Sequence, residues 1–283
     1  MNEILRSIIF NKSVVTEDGI TRPLHSAISQ GEGDFIQEMI RSARPQVSLE
    51  VGCAYGVSSL FICEALREVG ADRHIVIDPY QHSHWEGIGL ANLRRAGYAD
   101  IIDFHEVVSY QYLALLTEEH VTIDFAFIDG QHTFDYVLVD FFLIDKLLKP
   151  GGIIIFDDFS YPSIRSVCRY VLSNLRYKCI SPPSRELPEL AASRRFVSRV
   201  RQQGIGLLVR APLSRIIAPA WQMLVWHAGQ YWRVLVSEPL RRTPGTDLGL
   251  PEYLNYVALQ KLEHDLIGEG PGATRHWTTH RPF

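Results

Sequence analysis

The chain has 283 residues, of which 46% are hydrophobic and 21% are charged, a composition typical of a globular protein. Its 28 Lys and Arg residues against 32 Asp and Glu residues give a formal net charge of −4, so no overall positive charge is present to attract a nucleic acid. No uncharged apolar stretch is long enough to span a bilayer, and the first residues do not have the pattern of a signal peptide. We therefore expect a cytoplasmic protein that does not bind nucleic acid.

Strand and helix patterns alternate along most of the chain. The first pattern is an amphipathic helix predicted over residues 24–42. Predicted strands follow at 46–51, 74–78, 101–106, 123–128, 152–156 and 255–262, and helices are predicted near 57–69, 87–96, 110–118, 133–148 and 162–174. Short apolar strands separated by helices predict an α/β fold whose parallel strands are covered on both faces. Ligands of such sheets bind beyond the carboxyl ends of the strands, so the residues that follow each strand are the candidates for function.

The first strand of this series ends in the segment EVGCAYGVS, residues 50–58. Small residues at 52, 54 and 56 allow the backbone to approach a ligand closely, and the helix that follows directs its N-terminus towards it. The carboxylate of Glu50 would attract a cationic amino group and repel a phosphate. The spacing of Gly52 and Gly56 is GxxxG and not GxGxxG, which weighs against a dinucleotide. An ordinary junction between a strand and a helix explains the same residues equally well.

Single polar residues follow the next two strands. Asp78 comes 28 residues after Glu50, where a carboxylate can accept hydrogen bonds from both hydroxyls of a ribose. Its alternative role is to cap the next helix or turn. Ser109 follows the third strand and is a candidate for the wall of an adenine pocket, although it could equally be an N-cap.

Three carboxylates follow the strands at 123–128 and 152–156. Asp129 comes after the first of these strands, and Asp157 and Asp158 come after the second. If the two strands are neighbours, the carboxylates converge, and like charges packed together need a cation or a proton. Three oxygen ligands suit Mg²⁺ or a similar divalent ion. The alternative is that one or two of these aspartates cap helices.

His132 lies three residues after Asp129. An imidazole can accept a proton at neutral pH, and a nearby metal ion would ease the loss of a proton from a substrate hydroxyl. A histidine at the start of a helix can also be a cap or a solvated ring. The position of His132 beside the predicted metal site favours a catalytic role.

The segments LEVGCAYGVSS, HIVIDPYQ and FIDGQHTFDYVLVDFFLIDKLLKPGGIIIFDD together resemble the class I methyltransferases that use S-adenosylmethionine (SAM). The last segment resembles the metal-dependent O-methyltransferases. It is most similar to the bacterial group that contains macrolide and other natural-product sugar O-methyltransferases, and more distantly similar to catechol O-methyltransferase. The resemblance covers residues 35–180 and the strand at 255–262.

The resemblance implies a Rossmann-like, seven-stranded, mostly parallel sheet with helices on both faces. The pattern of the sequence changes after Ser181 and indicates a helical insertion before the last strand, for which the resemblance offers no counterpart. The chain therefore divides into an N-terminal helical segment, a SAM-binding core, an insertion, and a final strand with a tail, at residues 1–45, 46–181, 182–253 and 254–283 respectively. The insertion contains an arginine-rich stretch followed by a tryptophan-rich, helix-like segment. Its role as a lid, as a contact in a homo-oligomer or as a contact with a membrane surface is left open.

The resemblance also implies a role for each candidate residue. The methionine end of SAM contacts Glu50, Gly52 and Gly56, the ribose contacts Asp78, and the adenine lies near Ser109. Ser58 and Asp129 complete the set of cofactor-binding residues. Asp129, Asp157 and Asp158 bind Mg²⁺, and His132 is the general base, where catechol O-methyltransferase has a lysine and the similar sugar enzymes have a histidine.

The predicted function is therefore SAM-dependent and Mg²⁺-dependent methylation of a hydroxyl on a small molecule, either a sugar or a phenol. Two alternatives are a metal-independent methyltransferase of another acceptor and a non-catalytic module of the same fold that binds a partner or a membrane through residues 182–253. A third alternative, an NAD-linked enzyme, is disfavoured because GxGxxG is missing.

Overall fold

A computed structural model describes residues 1–181 and 255–263 of the chain. The elements in this part of the chain are, in order, α1 (Glu3–Asn11), β1 (Ser13–Val15), β2 (Thr21–Pro23), α2 (Gln30–Ala43), β3 (Val47–Val51), α3 (Val57–Val69), β4 (Arg73–Ile77), α4 (Ile88–Arg95), β5 (Ile102–His105), α5 (Ser109–Glu118), β6 (Ile123–Ile128), α6 (Phe134–Leu147), β7 (Leu148–Phe156), α7 (Pro162–Asn174), β8 (Tyr177–Cys179) and β9 (Val257–Lys261). The predicted insertion at 182–253 lies outside the described residues, so the roles predicted for it stay predictions.

Seven strands form the main sheet in the order β5-β4-β3-β6-β7-β9-β8. The pairs among β5, β4, β3, β6 and β7 are parallel, whereas β9 is antiparallel to both of its neighbours, β7 and β8. The prediction of a Rossmann-like, seven-stranded, mostly parallel sheet is confirmed. Chain order runs outwards in opposite directions from the β3–β6 pair, which makes the carboxyl ends of these two strands the switch point where α/β sheets bind ligands.

The register of the sheet sets the position of the residues that follow each strand. Val51 of β3 pairs with Ile77 of β4 and with Ile128 of β6, and Ile128 pairs with Phe156 of β7. The last residues of these four strands therefore lie in one row across the sheet. Residues 52, 78, 129 and 157 come next and share one edge, which brings the candidate site residues together.

Apolar side chains cover both faces of the sheet. On one face, a core cluster packs α1 to α4 against Phe125 and Phe127 of β6 and Ile153 and Ile155 of β7. On the other face, the ring of Phe141 in α6 lies 6.1 Å from that of Phe156 in β7. Strands buried on both sides explain why the sequence shows continuous apolar runs without alternation. None of the helices in the described ranges is long and apolar enough to cross a membrane.

The N-terminal region differs from the helix predicted over residues 24–42. Helix α2 begins only at Gln30, because the side chain of Ser29 caps it by accepting a hydrogen bond from the backbone N–H of Glu32 at 3.2 Å. Residues 24–28 therefore form a non-helical segment in front of the helix. Residues 1–45 also contain a hairpin of two three-residue strands, β1 and β2, in addition to helices α1 and α2.

Candidate active site

The turn after β3 requires glycine at its first position. Gly52 has a φ of +93°, and a Cβ atom placed on it would lie 2.1 Å from the backbone oxygen of Asp129. A side chain at position 52 is therefore excluded both by the backbone conformation of Gly52 and by the backbone of Asp129 beside it. Gly56, with a φ of +74°, is the N-cap of α3. Glycine at position 52 thus allows the turn to lie directly against the segment that follows β6.

The carboxylate of Glu50 lies fully buried behind this turn. The hydroxyls of Ser58 and Ser59 donate to its two oxygens, each at 2.5 Å. Nε2 of His74 is 3.0 Å from Oε2 of Glu50, and the other ring nitrogen is 2.8 Å from the hydroxyl of Ser48. Glu50 therefore joins β3 to α3 and β4 and contributes a negative charge beneath the turn. Its contact with a cofactor stays a prediction.

Asp78 follows β4 and holds the same turn from the other side. Its Oδ2 accepts the backbone N–H groups of Cys53 and Ala54 at 3.0 and 2.9 Å, and its Oδ1 accepts that of Tyr80 at 2.8 Å. Asp78 therefore caps the turn after β3, and its bond to Tyr80 also caps the turn that follows it, which is the role that the alternative gave it. Since two carboxylate oxygens can accept about four hydrogen bonds, capacity for a ligand hydroxyl remains.

Ser109 is the first residue of α5, and Val108 occupies the N-cap position, so the alternative of Ser109 as the N-cap is wrong. The residue is buried, and its hydroxyl interacts with Asp140 of α6. Asp140 is 1% exposed, and neither of its carboxylate oxygens has a donor at normal hydrogen-bonding geometry among the described residues. Burial raises the pKa of Asp140 to about 6, while the Ser109 hydroxyl acts in the opposite direction.

The predicted convergence of acidic residues is present at the ends of β6 and β7. Asp129, His132 and Asp158 each place one potential ligand atom so that all three atoms lie within 4.8 Å of one another. Nε2 of His132 is 3.1 Å from Oδ2 of Asp158. The imidazole also stacks on the ring of Tyr161, with 5.5 Å between the ring centroids. The base candidate therefore lies in direct contact with the acidic cluster.

Asp157 follows β7 at the same edge and is buried, but it does not belong to the group of three whose ligand atoms lie within 4.8 Å of one another. Its Oδ1 accepts the backbone N–H of Asp158 at 2.6 Å and the side-chain amide of Asn255 at 3.3 Å, and Asn255 also donates to Oδ1 of Asp158 at 3.1 Å. Burial, the largest effect, raises the pKa of Asp157, whereas the carboxyl groups of Asp129 and of Glu32 in α2 also influence Asp157 and lower this pKa. Asp157 is thus the predicted metal ligand with the most interactions inside the protein.

The carboxyl groups at this edge repel one another, and within the described residues no positively charged side chain is among the largest influences on the pKa of Asp129 or Glu32. Burial, followed by repulsion from Asp157 and Asp158, raises the pKa of Asp129 well above its usual range. Burial, followed by the hydrogen bond to Asp157, raises the pKa of Glu32 to about 10. A bound cation would relieve this repulsion, and carboxylate oxygens are the donors that hard divalent ions prefer. The donor set and its electrostatics therefore fit a divalent cation such as Mg²⁺.

A small cavity, partly open to solvent, lies beside the cluster. Its lining combines the turn after β3, the start of α3, Asp129 and the N-terminal segment, and it consists of Ser26, Ala27, Ile28, Cys53, Ala54, Val57, Ser58 and Asp129. The predicted cofactor residues Ser58 and Asp129 thus share one cavity, whereas Glu50 and Asp78 lie behind the turn that forms its wall.

Sequence reasoning missed Ser26–Ile28, Glu32 and Asn255. The first three lie within the helix predicted over residues 24–42, and Asn255 is the first residue of the strand predicted at 255–262. Glu32 does have a signal in the sequence, because it lies on the apolar side of the amphipathic helix, three and four residues before Phe35 and Ile36. An acidic residue in an apolar stripe indicates a buried partner.

The N-terminal segment is fixed to the turn by aromatic contacts. Nε2 of His25 is 2.6 Å from the hydroxyl of Tyr55, and the ring of Trp85 lies 5.0 Å from that of Tyr55 and 5.9 Å from that of His25. Arg22 adds a two-pronged ion pair with Glu86, at 2.9 and 2.8 Å. These contacts keep the segment at the mouth of the cavity.

Comparison with known proteins identifies the domain. Residues 49–159 match a family model described as a methyltransferase domain. Caffeoyl-CoA O-methyltransferase 2 of Zea mays is 32% identical over 133 residues, which are 46% of this chain and 48% of the relative. The caffeoyl-CoA O-methyltransferase of Mesembryanthemum crystallinum is 32% identical over 133 residues, covering 46% of this chain and 50% of that relative. The chain spans about half the length of these curated relatives.

Solved structures share the fold. An O-methyltransferase from Bacillus cereus in complex with SAH has a TM-score of 0.52 at 18% identity, covering 65% of this chain and 85% of the other. The O-methyltransferase TomG from Streptomyces achromogenes, in complex with SAM, has a TM-score of 0.52 at 19% identity, with coverages of 65% and 84%. The sheet order and these neighbours show that the described part of the chain has the fold of the class I methyltransferases, and residues 49–159 match the model of a methyltransferase domain.

Proposed function

We propose that the protein is a SAM-dependent O-methyltransferase that methylates a hydroxyl of a small molecule and uses Mg²⁺ or a similar divalent cation. One observation carries this proposal: Asp129 belongs to two sites at once. It lines the cavity together with Ser58, and it belongs to the cluster with His132 and Asp158. A methyl donor in the cavity and an acceptor hydroxyl at the cluster would therefore meet at this residue.

The cavity suits the amino-acid end of SAM. The buried charge of Glu50 beneath the turn favours a cationic amino group and disfavours a phosphate. The remaining acceptor capacity of Asp78 suits a ribose hydroxyl. Ser109, buried at the start of α5, is the proposed neighbour of the adenine ring.

The proposed holders of the cation are Asp129, Asp157 and Asp158. When bound there, a divalent cation would lower the pKa of a coordinated hydroxyl and help it to ionise. The backbone N–H of Asp158 and the amide of Asn255 orient the carboxylate of Asp157, and the same amide also donates to Asp158.

His132 is the proposed general base, and Asp158 is its orienting partner. If the neutral imidazole donates from Nε2 to Asp158, Nδ1 is left as the atom that accepts the proton. As the acceptor oxygen attacks the methyl carbon, the bond between that carbon and sulfur breaks and the hydroxyl proton moves to Nδ1. The products are a methyl ether, SAH and an imidazolium that the charge of Asp158 stabilises. Alignment of the two reactants supplies much of the rate enhancement.

The proposed acceptor is a phenol or a sugar hydroxyl. Relatives named caffeoyl-CoA O-methyltransferases support a phenol. The stacked ring of Tyr161 beside His132 offers an apolar surface that suits either a phenolic ring or the face of a sugar.

Methyl transfer to a panel of catechols, hydroxycinnamates and sugars tests the proposal directly. The full chain is incubated with SAM and each acceptor, with Mg²⁺ or with EDTA, and the products are analysed by mass spectrometry. We expect a methylated product with Mg²⁺, its loss with EDTA and its return on addition of excess Mg²⁺. Turnover that EDTA does not affect would identify a metal-independent methyltransferase. Failure of SAM and SAH to bind in calorimetry would contradict the activity as a whole.

A further inference from the structure

Helix α6 is apolar on both of its long faces. Its inner face carries the buried residues Val137, Phe141 and Ile144. Its outer face carries Val139 and Phe142, which are 41% and 56% exposed. A surface helix ordinarily has a polar face in solvent, whereas a helix that is apolar all round is typically covered on both sides. The outer face of α6 therefore has the composition of a contact surface.

Helix α5 extends this apolar surface. Helices α5 and α6 pack side by side, and the ring centroids of Tyr110 and Tyr136 lie 6.3 Å apart across them. Among the described residues ten large apolar side chains are exposed, and six of them belong to these two helices: Tyr110, Leu115, Phe134, Tyr136, Val139 and Phe142. Scattered single exposures are ordinary on a protein surface. The concentration of six on two adjacent helices indicates an interaction surface, the α5–α6 face.

The exposed stripe along α6 is complementary to itself. Asp135, Val139, Phe142 and Lys146 are all exposed and follow the spacing i, i+4, i+7 and i+11, which places them in one line along the helix. This spacing is the same from either end. If a second copy of α6 packs antiparallel on the first, Asp135 lies opposite Lys146 of the partner subunit, and Val139 lies opposite Phe142 of the partner subunit.

The two charges at the ends of this stripe are available for such a pairing. Nζ of Lys146 lies 4.5 Å from the ring centroid of Phe142, and Lys146 forms no ion pair with another described residue. Asp135 lies in the first turn of α6 and is likewise without an ion pair in the described part of the chain. At a twofold axis the opposite charges of two copies would meet twice, once at each end of the stripe.

The charges around the face do not suit a membrane surface. Glu118 and Glu119 are exposed at the end of α5, and Asp135 is exposed at the start of α6. Helices that lie on membranes carry Lys and Arg beside their apolar face, because the lipid surface is anionic. A second copy of this chain, by contrast, supplies both the apolar surface and the opposite charges.

We propose that the α5–α6 face is the contact between two copies of this chain, related by a twofold axis that crosses α6 between Val139 and Phe142. The two α6 helices are antiparallel, and Asp135 of each copy pairs with Lys146 of the other. Leu115 of α5 adds to the apolar area. Neither the proposed cofactor nor the proposed cation takes part in this contact.

Sedimentation velocity of the full chain over a wide range of concentration tests this contact. We expect the wild type to change from one 32.2 kDa chain to a species of twice that mass as its concentration rises. Phe142→Glu places a charge at the apolar centre and should weaken the dimer at least about 10-fold. Val139→Gln replaces this variant if circular dichroism shows that it does not fold.

Phe10→Glu is the matched control. Phe10 is the most exposed of the ten apolar side chains, and it lies on α1, outside the α5–α6 face. This variant introduces the same charge in place of the same residue type, so it should dimerise like the wild type.

Reversal of the charges tests the antiparallel pairing. Asp135→Lys and Lys146→Glu each place like charges opposite one another at both ends of the stripe, so each should weaken the dimer about 10-fold. The double variant restores opposite charges and should regain an affinity close to that of the wild type.

A chain that stays monomeric at every concentration would overturn the proposal, as would a dimer that Phe142→Glu leaves intact. Equal weakening by Phe10→Glu would also overturn it, since a general effect of the added charge would then explain the loss. A double charge-reversal variant as weak as the single ones would contradict the antiparallel contact between the two α6 helices.

Discussion

Replacing His132 with alanine is expected to lower kcat by about 10²- to 10⁴-fold, the usual contribution of a general base. The affinity for SAM should change little, because His132 is absent from the residues that line the cavity. Its imidazole instead contacts Asp158 at 3.1 Å and Tyr161 by stacking. The loss should thus appear in the chemical step, measured as single-turnover methyl transfer with the enzyme saturated by SAM.

His120→Asn is a suitable control for this variant. His120 is exposed, lies before β6 at the opposite end of the sheet, and has a φ of +56° that asparagine tolerates. We expect it to retain wild-type turnover and SAH affinity. If His132→Ala kept the full rate, the general-base assignment would be wrong and proton removal would have to involve another group or solvent.

The second large expected effect is a dependence of the unfolding free energy on pH. The metal-free protein should lose unfolding free energy as the pH rises through the neutral range. The folded-state pKa values of Glu32, Asp129, Asp140 and Asp157 are all raised, so the folded protein binds protons more tightly than the unfolded chain does. Stability from such groups is complete below their unfolded pKa values and is lost as the pH rises towards the folded ones.

The pKa values define the range over which this loss occurs. For Asp140 the loss runs from its ordinary value of 3.8 to about 6, and for Glu32 it runs from 4.5 to about 10. Each group contributes a slope of at most about 1.4 kcal/mol per pH unit while it titrates. Carboxylates with lowered pKa values, such as Glu68 and Asp100 in their arginine pairs, act in the opposite direction, but only at acidic pH.

Urea unfolding between pH 5 and pH 9, with EDTA or with excess Mg²⁺, measures this dependence. The stability of the metal-free protein should fall steadily over that range. Mg²⁺ should increase the stability most at high pH, because a cation replaces the protons that the cluster has lost. Asp129→Asn should show a flatter profile and a smaller response to Mg²⁺. A profile that is flat or rises with pH in EDTA would show that the cluster is not electrostatically strained.

The central part of the fold could be predicted because its strands are short apolar runs that end in distinctive residues. Asp129 and Asp157 follow strands that pair in parallel, so the order of the strands is enough to bring them to one edge. The predicted and observed bounds of α3 and α7 also agree, and α3 lies between the glycine turn and the next apolar strand.

The N-terminal part of the site could not be predicted in the same way. Ser26–Ile28 have a helix-compatible pattern, and only the cap at Ser29 excludes them from α2. Strands β1, β2 and β8 have three residues each, too few for a period to be visible. Glu32 and Asn255 approach Asp157 from distant parts of the chain, so their roles depend on tertiary packing that local patterns do not contain.

The structure gives a different reason for glycine in the turn after β3 from the one that the sequence indicates. The sequence suggested that small residues there allow a ligand to approach the backbone. In the structure, Gly52 is required because the backbone of Asp129 occupies the space of its side chain. The motif therefore joins the cavity to the acidic cluster as well as forming the turn.

A crystal structure with SAH and Mn²⁺ tests the central claim most directly, namely that the acidic edge of β6 and β7 binds a cation next to the cofactor cavity. We predict an anomalous peak coordinated by oxygens of Asp129, Asp157 and Asp158, with the sulfur of SAH in the neighbouring cavity and the ring of His132 turned towards the space between them. An empty acidic edge at saturating Mn²⁺, or SAH bound away from Ser58 and Asp129, would contradict the account.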